Sequence, residues 1–127
     1  MTLSDLDQRL LREHNLTWRD PTDSDRDWCA RTGNDPSYIR GAIEFDVILR
    51  RVADGAERAY RTNFQAFDGA DVEEAMRNAQ YMWHDGNYAC DCNRALFFAR
   101  AAGEPDPERP CGDSAFVIVS PGWLAEI

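Results

Sequence analysis

Lysine is absent from this chain, and all fourteen of its basic residues are arginine. Set against 23 acids, they leave a net charge of −9. A protein that grips nucleic acid through its phosphates needs a basic face, so direct nucleic-acid binding is not expected. Long apolar runs are missing too. None approaches the roughly 20 residues needed to cross a bilayer. The opening stretch MTLSDLDQRLLREHNL carries acids and has no apolar core, so no secretory leader and a cytoplasmic location are expected. Histidine is scarce, with only His14 and His84. There is no Gly-rich phosphate loop, no G-x-S-x-G elbow and no H-E-x-x-H, which removes the nucleotide, hydrolase and zinc-peptidase classes that those motifs announce. The absence of lysine beside abundant Ala, Asp and Gly reads as GC-rich coding and carries no function.

What is present suits a packed globule: 127 residues, 43% apolar and 11% aromatic, enough to build a core without obligatory staples. One domain over 1–127 is expected, with 1–37 as an N-terminal helix and acidic loop extension and 38–127 as the core. Charge is uneven along it. Residues 1–35 hold eight acids and five arginines, residues 36–63 four and five, and residues 64–127 eleven and four, for nets of −3, +1 and −7. The acidic second half has two readings. It confers solubility, or it is a face offered to a basic protein partner in imitation of nucleic acid.

Ser4 before an apolar-periodic run marks a helix N-cap, giving a helix at about 5–14. Residues 19–37, with Pro21, Gly33, Pro36 and many aspartates, read as a loop with at most one helical turn near Asp25–Arg31. From Ala42 to Val52 the pattern alternates, with Ile43, Phe45, Val47 and Leu49 on one side, which predicts a strand with one buried face. Asp54-Gly55 supplies a turn, and Ala59–Phe67 is the return strand of a hairpin, with Tyr60, Thr62, Phe64 and Ala66 on one side. Asp71 caps a helix at about 72–84, where Val72, Ala75, Met76, Ala79 and Trp83 follow helical spacing. A second helix at about 92–102 is closed by Gly103. Ala115–Ser120 is a short apolar strand that joins the hairpin. The expected class is therefore α+β: a three-stranded, mainly antiparallel sheet packed with two or three helices.

The distinctive chemistry is in the cysteines. Cys90 and Cys92 form a C-x-C pair, and Cys111 follows after eighteen intervening residues. In a reducing compartment four cysteines suggest metal, catalysis or burial before disulfides. Structural zinc needs four soft or borderline ligands held tetrahedrally, commonly two of them close in sequence. Cys90, Cys92 and Cys111 are the candidate Zn²⁺ ligands, with Cys29, His84 or Asp113 as the fourth. The competing readings are reduced cysteines that only pack, and a reactive thiol with Cys92 as nucleophile, His84 as base and Arg94 lowering the thiol pKa. The triplet Asp23, Asp25, Asp27 resembles the start of a calcium loop. Its sixth position is Trp28 rather than Gly, and its twelfth is Asn34 rather than Glu, so a solvated acidic loop is the better reading. Glu73 and Glu74 fall in a first helical turn, where acids oppose the macrodipole. Trp83, Tyr88, Phe97 and Phe98 flank the cysteines as core around a small site.

The run WHDGNYACDCNRALFF (Trp83–Phe98) with the later PCGD (Pro110–Asp113) resembles small uncharacterised proteins of bacteria and their phages. They share W-x-x-G-N-Y-x-C-D-C-N-R and a later C-G, preceded by a hairpin and a helix, and the likeness covers about residues 42–120. It implies that Gly86, Asn87, Cys90, Asp91, Cys92, Asn93, Arg94 and Cys111 form one local structure, and it brings no activity with it. The leading functional expectation is a small acidic accessory protein with a structural zinc site, phage-encoded and acting on a host protein through its acidic face. The alternatives are an enzyme using Cys92 and His84, and a structural component of a larger assembly.

Overall fold

A computed structural model of the chain describes residues 3–67, 72–107 and 115–125. In order they form α1 (Asp5–Glu13), β1 (Thr17–Arg19), α2 (Asp23–Arg31), a 3-10 turn (Pro36–Tyr38), β2 (Ile39–Arg51), β3 (Glu57–Phe67) and α3 (Val72–His84). A second 3-10 turn (Asn87–Ala89), α4 (Asp91–Ala101), β4 (Phe116–Ser120) and α5 (Gly122–Ala125) complete the described residues. The four strands make one antiparallel sheet in which β2 lies beside β3 and also pairs with β1 and β4. The α+β expectation holds. β1, α2 and α5 are additions to it. No helix among the described residues is long and apolar enough to cross a membrane.

The chain clusters into two compact units, Met1–Phe45 with Asn63–Asn78, and Asp46–Thr62 with Ala79–Ile127. β2, β3 and α3 each contribute residues to both.

In the first unit, α1 begins with a reciprocal cap. Asp7 N donates to Ser4 Oγ at 3.0 Å, and Ser4 N donates back to Asp7 Oδ2 at 3.3 Å. Asp7 is only 5% exposed, because its other carboxylate oxygen accepts the Val72 N–H at 3.1 Å. An acid chosen by local capping thus also satisfies an orphan N–H in the first turn of α3. The expected loop over 19–37 is largely ordered secondary structure. α2 is a nine-residue helix with its own capping box: Asp25 N donates to Thr22 Oγ1 at 3.2 Å and Thr22 N to Asp25 Oδ2 at 2.9 Å. Arg19 of β1 reaches both Asp25 at 2.7 Å and Glu44 of β2 at 3.3 Å. Asp25 is therefore spent on a helix cap and an ion pair, and Asp23 and Asp27 sit on a helix. This local structure has no place for a calcium loop. Burial works to raise the Asp25 pKa, but the Thr22 hydrogen bonds and the Arg19 charge outweigh it and hold the carboxyl below the usual range.

β1 pairs antiparallel with β2, Trp18 opposite Ile43. The Trp18 ring lies so close to Gly41 that a Cβ there would meet it at 2.3 Å. Glycine at 41 is required by that approach. The unit buries Ile43, Phe45, Ala66, Val72 and Ala75, all 2% exposed or less, and Phe45 stacks on Phe64 with centroids 6.2 Å apart.

The second unit contains the hairpin tip. Gly55 adopts φ +74°, and Asp54 accepts from Arg51 Nε at 3.0 Å and from Ala56 N at 3.1 Å, which lowers its pKa to about 2. The inward residues alternate as expected, and Val47 and Leu49 are fully buried. β4 pairs antiparallel with β2 over Ile48–Arg51, with a register shift between Ile48 and Leu49. Arg58 shows what arginine gives here that lysine cannot. Its guanidinium lies 4.3 Å from the Phe98 ring centroid while making two bonds to Glu104, at 3.0 and 2.9 Å.

Candidate functional site at the start of α4

The segment between α3 and α4 is built by backbone geometry first. Asp85 N and Gly86 N both donate to Tyr81 O at 2.7 Å, which ends α3. A Cβ on Gly86 would lie 2.9 Å from Met82 Cα, so the chain turns here only with glycine. The 3-10 turn Asn87–Ala89 follows, and Cys90, in extended conformation, is the N-cap of α4.

Arg94 holds this turn together. It donates through Nε to Tyr88 O at 3.0 Å, through one terminal nitrogen to Phe116 O at 3.3 Å, and through the other to Trp83 O. One guanidinium fork from α4 therefore ties the end of α3, the 3-10 turn and β4. Burial pulls the Arg94 pKa down, opposed by the charges of Asp91 and Cys90. Three carbonyl oxygens stand in for a carboxylate. Asn93 Nδ2 donates to Asn87 O in the same turn.

Above it sits an aromatic cluster. Trp83 is fully buried and meets Tyr88 edge-on at 5.1 Å and Phe97 at 5.3 Å, and Tyr60 lies 4.7 Å from Phe97. Burial, with a smaller contribution from Tyr60, raises the Tyr88 pKa. Of the aromatics flanking the cysteines, Trp83, Phe97 and Phe98 are core, as expected, and Tyr88 is half-buried.

The proposed zinc ligands are placed as follows. Cys90 is an exposed thiol. Cys92, in the first turn of α4, is disulfide-bonded, against the expectation of reduced cysteines. Cys29 is fully buried in the first unit, and desolvation, aided by the Asp25 charge, raises its pKa and favours the neutral thiol. His84 Nε2 is bonded to Leu124 O, an acceptor only, so this nitrogen donates. Cys111 and Asp113 lie outside the described residues. Among the described residues no group of three or more His, Cys, Asp or Glu is arranged to hold a metal ion.

The sequence signals neither the carbonyl partners of Arg94, which tie the local structure that the resemblance implies, nor the partner of Gln80. Gln80 donates to Trp123 O at 2.7 Å and, with His84, holds α5. The signal for α5 was Pro121 ahead of Gly-Trp-Leu-Ala, since proline suits a helix start. The acidic second half also changes character. Glu73 and Glu74 pair with Arg77, Glu104 with Arg58, and Asp106 with Arg100. Asp68, Asp71, Glu108, Asp113 and Glu126 lie outside the described residues.

No protein-family model, curated protein or solved structure matches this chain.

Proposed function

We propose that the chain is a small acidic interaction protein, and that its cysteine-rich motif is scaffold rather than catalytic machinery. The observation that carries this reading is the internal use of the motif's polar groups. Arg94 is spent on three carbonyls, Asn93 on Asn87 O and His84 Nε2 on Leu124 O. An enzyme using Cys92 and His84 needs a thiolate at Cys92, and its sulfur is in a disulfide.

The contact surface we assign is in the first unit. α2 packs on the 3-10 turn Pro36–Tyr38, and each exposes one large aromatic, Trp28 at 41% and Tyr38 at 54%. Exposed aromatics among charges are the usual anchors of a protein interface. Asp20, Asp27 and Asp35 surround them in sequence and are exposed, with Asp23 paired to Arg26, and these acids favour a basic partner. Glu73, Glu74, Glu104 and Asp106 of the second half have part of their charge met by Arg77, Arg58 and Arg100.

The test is affinity capture from the native host with wild-type protein and the Trp28→Ala/Tyr38→Ala variant. Wild type is expected to retain a basic protein that elutes as ionic strength rises well above 0.15 M, where screening shortens to below about 8 Å. The double variant is expected to lose it. Equal retention by both, or a partner that is acidic, overturns the assignment.

Structural zinc at Cys90, Cys92 and Cys111, with Cys29 or His84, is a reading for the reduced chain alone. A sulfur held in a disulfide has no thiolate charge to give a metal.

A further inference from the structure

Ser24, Asp27, Trp28 and Arg31 fall at i, i+3, i+4 and i+7 of α2 and are all exposed, so they form one outward helix face. Ser24, Asp27 and Arg31, with Ala30, line a hollow of about 600 Å³. The acids of this region are not equivalent. Asp23 is paired with Arg26, Asp25 with Arg19, and Asp35 accepts from Ser37 N at 2.9 Å. The Asp27 carboxylate has no hydrogen bond or ion pair among the described residues. Arg31 stands i+4 from it, in the order that favours an ion pair, yet its Nε donates to Asp27 O at 3.4 Å instead. One side of α2 thus carries an open carboxylate and an exposed indole.

Resting on the reading of this surface as the contact site for a basic partner, we propose that the partner's anchor is an arginine side chain. Its stem fills the hollow, and its guanidinium lies on Trp28 and hydrogen-bonds to the Asp27 carboxylate. Both contacts suit arginine over lysine. A guanidinium is planar and weakly hydrated, stacks on indole, and offers two parallel N–H groups to a carboxylate. An ammonium is a compact charge that holds its water more strongly. Arg31 is the opposing charge on this face, and Asp20, exposed just ahead of the helix, partly offsets it. An entering cation must therefore gain from Asp27 and Trp28 together, which a guanidinium does and an ammonium does less well.

The experiment titrates the full isotope-labelled chain with N-acetyl-Gly-Arg-Gly-amide, and separately with the lysine counterpart, at constant ionic strength. NMR shifts of the Ser24 and Ala30 backbone amides report the hollow in wild type and in every variant. Saturable shifts are expected, with the arginine peptide binding more tightly than the lysine one. Trp28→Ala is expected to weaken the arginine peptide roughly two- to fivefold, the worth of an exposed cation–π contact. Asp27→Asn should weaken it by a similar factor and erase the preference over lysine. Arg31→Gln should strengthen it roughly twofold or more, because the opposing charge is gone. Absence of saturable shifts, equal binding of the two peptides, unchanged binding in Asp27→Asn, or weaker binding in Arg31→Gln would each overturn the proposal. Affinity capture with Asp27→Asn separates the two readings. A basic partner retained by that variant and lost by Trp28→Ala/Tyr38→Ala keeps the interaction surface and removes the arginine anchor.

Discussion

Replacing Arg94 by methionine keeps a side chain of similar length and removes every N–H that Tyr88 O, Phe116 O and Trp83 O now accept. A hydrogen bond from a charged donor is worth about 1.5–3 kcal/mol net, so three taken at face value would suggest roughly 4.5–9 kcal/mol. Two features reduce that figure. Arg94 is half-buried, so water can replace part of what is lost, and the contact to Phe116 O is long at 3.3 Å. Removing a guanidinium also recovers its desolvation cost, which the lowered pKa reports. The expected loss is about 2–4 kcal/mol. Arg94→Lys keeps the charge but offers a point donor to three acceptors approached from different segments, and it should recover about half or less. Arg100→Met, on the exposed side of the same helix and paired with Asp106 at 3.4 Å, should cost under about 0.5 kcal/mol. Urea denaturation followed by tryptophan fluorescence measures all three, with the buried Trp83 as a local reporter. If Arg94→Met matches Arg100→Met in stability while slowing alkylation of Cys90, the clamp argument is wrong and Arg94 serves the thiol instead.

Gly41→Ala places a methyl 2.3 Å from the Trp18 ring, and parting β1 from β2 should destabilise by about 1–3 kcal/mol, read by the shift in urea midpoint. Asp25, whose folded pKa is depressed, contributes stability that is fully present above its ordinary value of 3.8 and is lost as pH falls through the lower folded value. Acid titration of wild type against Asp25→Asn should show that loss in wild type and a flatter profile in the variant; parallel curves refute it. Fully reduced protein, dialysed against zinc and then freed of excess, should hold about one zinc per chain if the four-ligand reading is correct. Metal analysis showing none under reduction removes it.

Most secondary structure was legible because its signals are local. Ser4 with Asp7, the alternation through Ile43–Leu49, Asp54-Gly55, and the helical spacing from Val72 to Trp83 each specify their element within a few residues. The segment 19–37 misled because proline and aspartate there were weighed as loop residues. Thr22 with Asp25 is the same kind of capping box as Ser4 with Asp7, and it was overlooked because no apolar stripe follows it.

By itself, then, the sequence determined where the chain is extended, where it coils and where it turns, since those choices depend on neighbours only a few residues apart. Which groups meet was decided by the tertiary structure. Asp7 satisfies Val72, Arg19 joins Asp25 to Glu44, and Arg94 gathers carbonyls from three segments. Such pairings join residues far apart along the chain, and a side chain's type states only that it can donate or accept. Whether an arginine meets a carbonyl, a carboxylate or a thiolate is settled only when packing brings a partner within about 3 Å.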